Sequence, residues 1–190
     1  MSKKWTVRSI LNRFTQNDPC SRLGIPKHLH AANRQRVSEF APSETIYRRF
    51  KEPGTIDQWK GNNQVSASIF KLDNDSCNRS IFCQLPEDVL LNTREQDIGA
   101  HYLTHGIISF NVGKFYSLLV PPAPAIKQNG ADRNFVLHLE HDPLPCMYPH
   151  TEIHVYDGSN RVDNLPPKST KAIIRGLLLD ICEIVKMPGQ

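Results

Sequence analysis

Phe135-Val-Leu-His-Leu-Glu140 and, beyond a short connection, His150-Thr-Glu-Ile-His-Val-Tyr156 are the runs whose reading decides the fold. Side chains of an extended strand point alternately to its two faces. Phe135, Leu137 and Leu139 therefore share one face of the first run, and Val136, His138 and Glu140 share the other. In the second run Thr151, Ile153 and Val155 point one way, and His150, Glu152, His154 and Tyr156 point the other. Paired as a hairpin, the runs bury one apolar set together and line the opposite face with His138, Glu140, His150, Glu152 and His154. Asp142 to Pro149, with three prolines, supplies the connection.

Working outward, Ser169 or Thr170 is expected to cap a final helix. Its apolar face is Ile173, Ile174, Leu177, Leu178, Ile181 and Val185, and Pro188-Gly189 closes it. Upstream, Ile107–Val112 and Phe115–Val120 flank Gly113-Lys114, which reads as a second hairpin. Val65–Leu72 and Ser80–Leu85 read as strands on either side of a turn at Asp73–Ser76. Pro86–Leu91 reads as one helical turn. The expected fold class is α+β: a twisted antiparallel sheet of about five or six strands packed against the C-terminal helix. This domain is expected to span residues 62–190.

Residues 1–61 read as a basic, loosely structured extension. Val7, Ile10, Leu11 and Phe14 fall on one stripe of a short amphipathic helix that Asn17-Asp18-Pro19 should end. From Cys20 to about Gly61 the chain is polar, with few apolar residues to bury. Residues 1–51 hold eleven Lys/Arg against three Asp/Glu, a net +8, whereas the remainder carries −4. Such a split marks a basic arm for an anionic partner. Lys27, Arg34, Arg36, Arg48, Arg49 and Lys51 are the expected phosphate contacts if that partner is a nucleic acid. The first 17 residues, free of acid, also match a transit-peptide pattern.

No run approaches the roughly 20 apolar residues of a membrane span. The first 20 residues lack the apolar block of a secretory signal, so a cytoplasmic location is expected. Five cysteines, odd in number and without a C-x-x-C pair, do not suggest a disulfide framework, and a reducing compartment is the simplest reading. H-E-x-x-H, the P-loop, G-x-G-x-x-G and G-x-S-x-G are all absent.

Those absences favour a non-enzymatic interaction protein, a small subunit or accessory component of a larger assembly. It would dock on another protein through Trp5, Val7, Ile10, Leu11 and Phe14. The alternative is a metal- or histidine-dependent hydrolase, a phosphoesterase or nuclease, using the hairpin 138–154. His138, Glu140, His150, Glu152 and His154 would be its acid–base and ligand groups, with a divalent metal on His138, His150 and His154. Imidazoles and carboxylates are the usual occupants of both roles, though also of any solvated sheet face. Two weaker candidates are the His101/His105 pair, spaced for one helix face, and Cys146 as a nucleophile beside His150.

Overall fold

The computed structural model describes residues 18–32, 34–51, 56–57, 64–93, 101–121, 133–161 and 166–189. The expected N-terminal helix, and with it Trp5, Val7, Ile10, Leu11 and Phe14, lies outside them.

The protein is α+β, built on one antiparallel sheet. Its strands are β1 (Thr45–Phe50), β4 (Asp75–Arg79), β5 (Gly106–Asn111), β6 (Phe135–His141), β7 (His150–Asp157), β8 (Asn160–Arg161) and β9 (Glu183–Lys186). They run in the order β6-β7-β4-β1-β5-β9, with β8 paired to β7. A separate two-stranded ribbon joins β2 (Ile56–Asp57) to β3 (Gln64–Val65). Among the described residues three α-helices complete the fold: α1 (Pro19–Arg22), α2 (Val112–Tyr116) and α3 (Lys168–Asp180).

The two runs pair as the expected hairpin, with their apolar sets on one face. Leu137 lies opposite Val155, His138 opposite His154, Leu139 opposite Ile153 and Glu140 opposite Glu152. The apolar members join Ile46, Phe50, Cys77, Ile108 and Phe110 in the main core. Helix α3 closes that core with Ile174 and Leu178, both fully buried. On the opposite face Val89 and Leu90 cover Ile107, while Ser76, Asn78, His150 and Glu152 lie on β4 and β7.

Several expectations are corrected. The boundary expected at residue 62 does not bound the sheet, because β1 lies within it, between β4 and β5. Its burial alternates, with Ile46, Arg48 and Phe50 inward. The inward Arg48 hides the pattern from a hydrophobicity reading, and its charge is held by Asp75 at 2.6 Å. The stretch 65–72 is not a strand beyond Val65: Ala67–Ile69 is a 3-10 turn that Ser66 caps. The next strand is Asp75–Arg79, with Ser80–Phe82 a further 3-10 turn. Gly113-Lys114 is no hairpin turn, because the Asn111 side chain accepts from Lys114 N–H and starts α2 instead. Helix α3 includes both Ser169 and Thr170 and stops at Asp180; Val185 belongs to β9, which pairs with β5. Residues 86–90 form the expected single turn, as a 3-10 helix. Gly106 is required where β5 meets β1: a Cβ there would collide with the ring of Phe50.

Two cysteines pair, against expectation. Cys20 and Cys146 form a disulfide across 126 residues of sequence, while Cys77, Cys83 and Cys182 are free. The bond fastens α1 to the β6–β7 connection, and Leu23, Ile25, Leu29 and Met147 pack around it. No helix among the described residues is long and apolar enough to cross a membrane.

Candidate functional site on the polar face of the sheet

The hairpin's polar groups separate into three positions along β6 and β7. At the open end His138 is exposed, and its ring lies 4.5 Å from that of Tyr156. The Tyr156 hydroxyl donates to Glu140, which holds the tyrosine proton above its usual range. In the middle His154 is almost wholly buried, with Nε2 3.2 Å from Glu152 Oε2 and 3.8 Å from Glu140 Oε2. Burial lowers the affinity of His154 for a proton; Arg161 adds to that, and Glu140, Glu152 and Asp142 oppose it.

The third position is the chemically open one. His150 Nδ1 donates to the carbonyl of Asp142 at 2.6 Å, so its Nε2 carries the lone pair, 3.3 Å from Ser76 Oγ. Ligand atoms of Asp142, His150 and Glu152 lie within 4.8 Å of one another. A histidine whose far N–H is held by a carbonyl is oriented as metal-bound histidines are. Asp142 also forms an ion pair with Arg36.

Of the three histidines expected to share a metal, only His150 joins this group. His138 faces His154 across the strands, and His150 is four residues from His154 along β7, about 13 Å at strand rise. Asp142 was legible only as a residue shaping the turn. Its place beside His150 follows from the hairpin closing one pair further, at His141–Thr151, with Asp142 N–H bonded to His150 O at 3.1 Å.

Tyr47, Asn78 and His150 occupy one cross-strand row over β1, β4 and β7. Above it opens a cavity of about 180 Å³ lined by Arg49, Ser76, Asn78, Asn92, Tyr102 and His150 among others. The Arg49 guanidinium stacks 3.7 Å over the Tyr102 ring on its wall. Asn78 Oδ1 is buried without a hydrogen-bond partner, an acceptor that a ligand or water would satisfy. A hollow of about 450 Å³ shares Arg49, Ser76 and Tyr102 and adds Lys51, Lys71 and His105. Burial, then Arg49 and Lys51, push the His105 proton affinity down.

The expected nucleic-acid contacts are dispersed. Arg48 is buried against Asp75 and the carbonyls of Ile69 and Ser76, which removes it from any phosphate. Arg34 lies 4.8 Å over the Tyr148 ring, Arg36 pairs with Asp142, and Lys27 and Lys51 are exposed. Arg49, in the cleft, is the one that converges with the histidine site. His101 and His105 are not on a helix; they flank a turn, and His101 Nδ1 accepts from Asn92 N–H. Cys146 is bonded to Cys20 and is not a nucleophile in this state.

No family model, curated protein or solved structure matches this chain.

Proposed function

We propose that the polar face of the sheet binds a phosphoester and hydrolyses it with a divalent metal, so that the protein is a phosphoesterase or nuclease. One observation carries this reading: His150, a ring nitrogen of which comes within 4.8 Å of carboxylate oxygens of Asp142 and Glu152, also lines the cavity that Arg49 lines. Two carboxylates and an imidazole suit manganese, zinc or iron. The metal would polarise the phosphoryl oxygen and acidify a bound water. Arg49 would hold the phosphate through its planar fork of donors, with Lys51 and Lys71 extending the positive wall toward a longer substrate. The purified protein should bind Mn²⁺ or Zn²⁺ and cleave bis-p-nitrophenyl phosphate or a short RNA. His150→Ala and Glu152→Gln should each lower kcat/KM at least about a hundredfold, the scale of general acid–base loss. Retained metal-dependent cleavage in both variants would refute it.

A second reading, the non-enzymatic subunit, is supported by an apolar hollow of about 430 Å³ lined by Tyr116, Leu119 and Val136. Leu119 there is 86% exposed, as buried interfaces of assemblies commonly require. In that case deleting residues 1–17 should abolish partner capture while leaving the melting temperature unchanged, and catalysis should be absent from the parent protein.

A further inference from the structure

At the other side of the β6–β7 connection, around the disulfide, lies a second cluster of metal-ligand side chains, Asp18, Cys20 and His30. Residues 18–31 are fastened to the β6–β7 connection by three links: the Cys20–Cys146 bond, Ala31 N–H on Pro145 O at 2.8 Å, and Tyr148 N–H on Leu29 O at 2.7 Å. At this clamp, ligand atoms of Asp18, Cys20 and His30 come within 4.8 Å of one another, and Cys146 is bonded to Cys20.

The His30 ring gives the independent clue. Its Nε2 donates to the Ile25 carbonyl at 2.9 Å, so in the neutral ring Nδ1 carries the lone pair. That lone pair faces Asp18 Oδ2 at 3.3 Å. Two electron-rich atoms so placed require a proton or a cation between them. The second is the arrangement of a ligating histidine, whose far N–H is fixed by a backbone carbonyl.

We infer that Asp18, Cys20, His30 and Cys146 form a zinc site in the reduced protein, which the disulfide replaces on oxidation. Two thiolates, one imidazole and one carboxylate make a closed four-ligand shell, and this donor set selects zinc over harder cations. The exchange balances with a dithiol reductant. The reductant gives two electrons and two protons to the Cys20–Cys146 bond and is itself oxidised to a disulfide. Zn²⁺ then displaces both thiol protons to water, and the sulfurs part to roughly 3.8 Å, as tetrahedral bonds of about 2.3 Å require. Both cysteines are 6% exposed, and the ion would enter past the more open Asp18. The clamp is thereby kept closed in either redox state, by a covalent bond or by the metal. The three other cysteines compete poorly, because burial pushes each thiol up to about 12.

The test is a Co²⁺ titration of the full-length protein, reduced and kept anaerobic. One equivalent should give thiolate-to-cobalt charge transfer and the visible bands of a tetrahedral ion, both bleached by one equivalent of Zn²⁺. The oxidised protein should show neither. Cys20→Ser/Cys146→Ser should abolish the charge-transfer band, Cys146→Ser should weaken it to that of one thiolate, and His30→Ala should weaken binding at least about tenfold. His150→Ala should leave the bands unchanged, since oxygen and nitrogen donors of the cleft give no thiolate band; the two metal sites are thus tested apart. Alkylation mapping of the unsubstituted reduced protein keeps the test valid if a variant misfolds: Zn²⁺ should shield Cys20 and Cys146. Absence of a thiolate–cobalt band in the reduced parent, or its survival in Cys20→Ser/Cys146→Ser, would overturn the inference.

Discussion

Histidine is the residue that this sheet uses in several chemical states. His141 accepts Val37 N–H at Nδ1, 2.9 Å away, and donates from Nε2 to Tyr148 O at 2.7 Å. Both ring nitrogens are satisfied in the neutral form only, and a second proton would displace Val37. Burial, the largest cause, lowers the proton affinity of His141 and of His154 below the ordinary 6.5. The folded state therefore binds fewer protons than the unfolded chain as pH falls. Their contribution to stability is complete above 6.5 and is lost as pH drops from there through the folded values. Urea midpoints measured from pH 7.5 to 5.0 should fall on the acidic side, and His141→Gln should shrink that fall; an unchanged slope would contradict the assignment. Alternation alone made the His138, Glu140, Glu152 and His154 face legible. The internal role of His141 was not, because a histidine on the core face looks in sequence like one more polar residue of a histidine-rich run.

At the scale of elements, apolar periodicity gave the β6–β7 hairpin and the body of α3, and failed where a polar group faces inward. Strand β1 is the clearest case. Arg48 and Arg79 both point into protein: Arg79 is 1% exposed and meets Glu44 through two hydrogen bonds of 2.7 and 2.8 Å. Guanidinium groups so paired occupy core positions that a hydrophobic count reads as solvent. The last turn expected of α3 was misread for another reason. Ile181 and Val185 continue the helical spacing, but Glu183–Lys186 finds the unpaired edge of β5. Within α3, Ile174 and Leu178 are fully buried, whereas Ile173 is 42% exposed. Leu178→Ala should cost about 2–5 kcal/mol by thermal or urea unfolding. Ile173→Ala should cost no more than about 0.5 kcal/mol; similar losses for both would mean that the helix is rotated from the face described.

For the whole molecule, the α+β class and the packing of the sheet on a C-terminal helix were readable because hydrophobic patterning carries them. The cleft was not, since it is assembled from β1, β4, β7 and the segment around Tyr102, which are distant in sequence. Neither was the pairing of Cys20 with Cys146, for spacing does not determine which cysteines meet. The segment expected to be loose is thereby tied to the connection that carries Asp142 and leads into His150. Reduction in the presence of a chelator should lower unfolding free energy by about 2–4 kcal/mol, and a stability unaffected by both treatments would show that the clamp is dispensable.

The same bond makes a closed ring of the chain from Cys20 to Cys146, which contains β1 to β6 and leaves β7, β8, α3 and β9 as a tail. A single peptide cleavage anywhere inside that ring opens it without separating the pieces. The nicked protein would run at full mass under denaturing, non-reducing electrophoresis and divide into two fragments only once a reductant is added. Cleavage in the tail, or before Cys20, would release a piece under either condition, so limited proteolysis reports from the gel alone on whether the backbone was cut inside the Cys20–Cys146 ring or outside it.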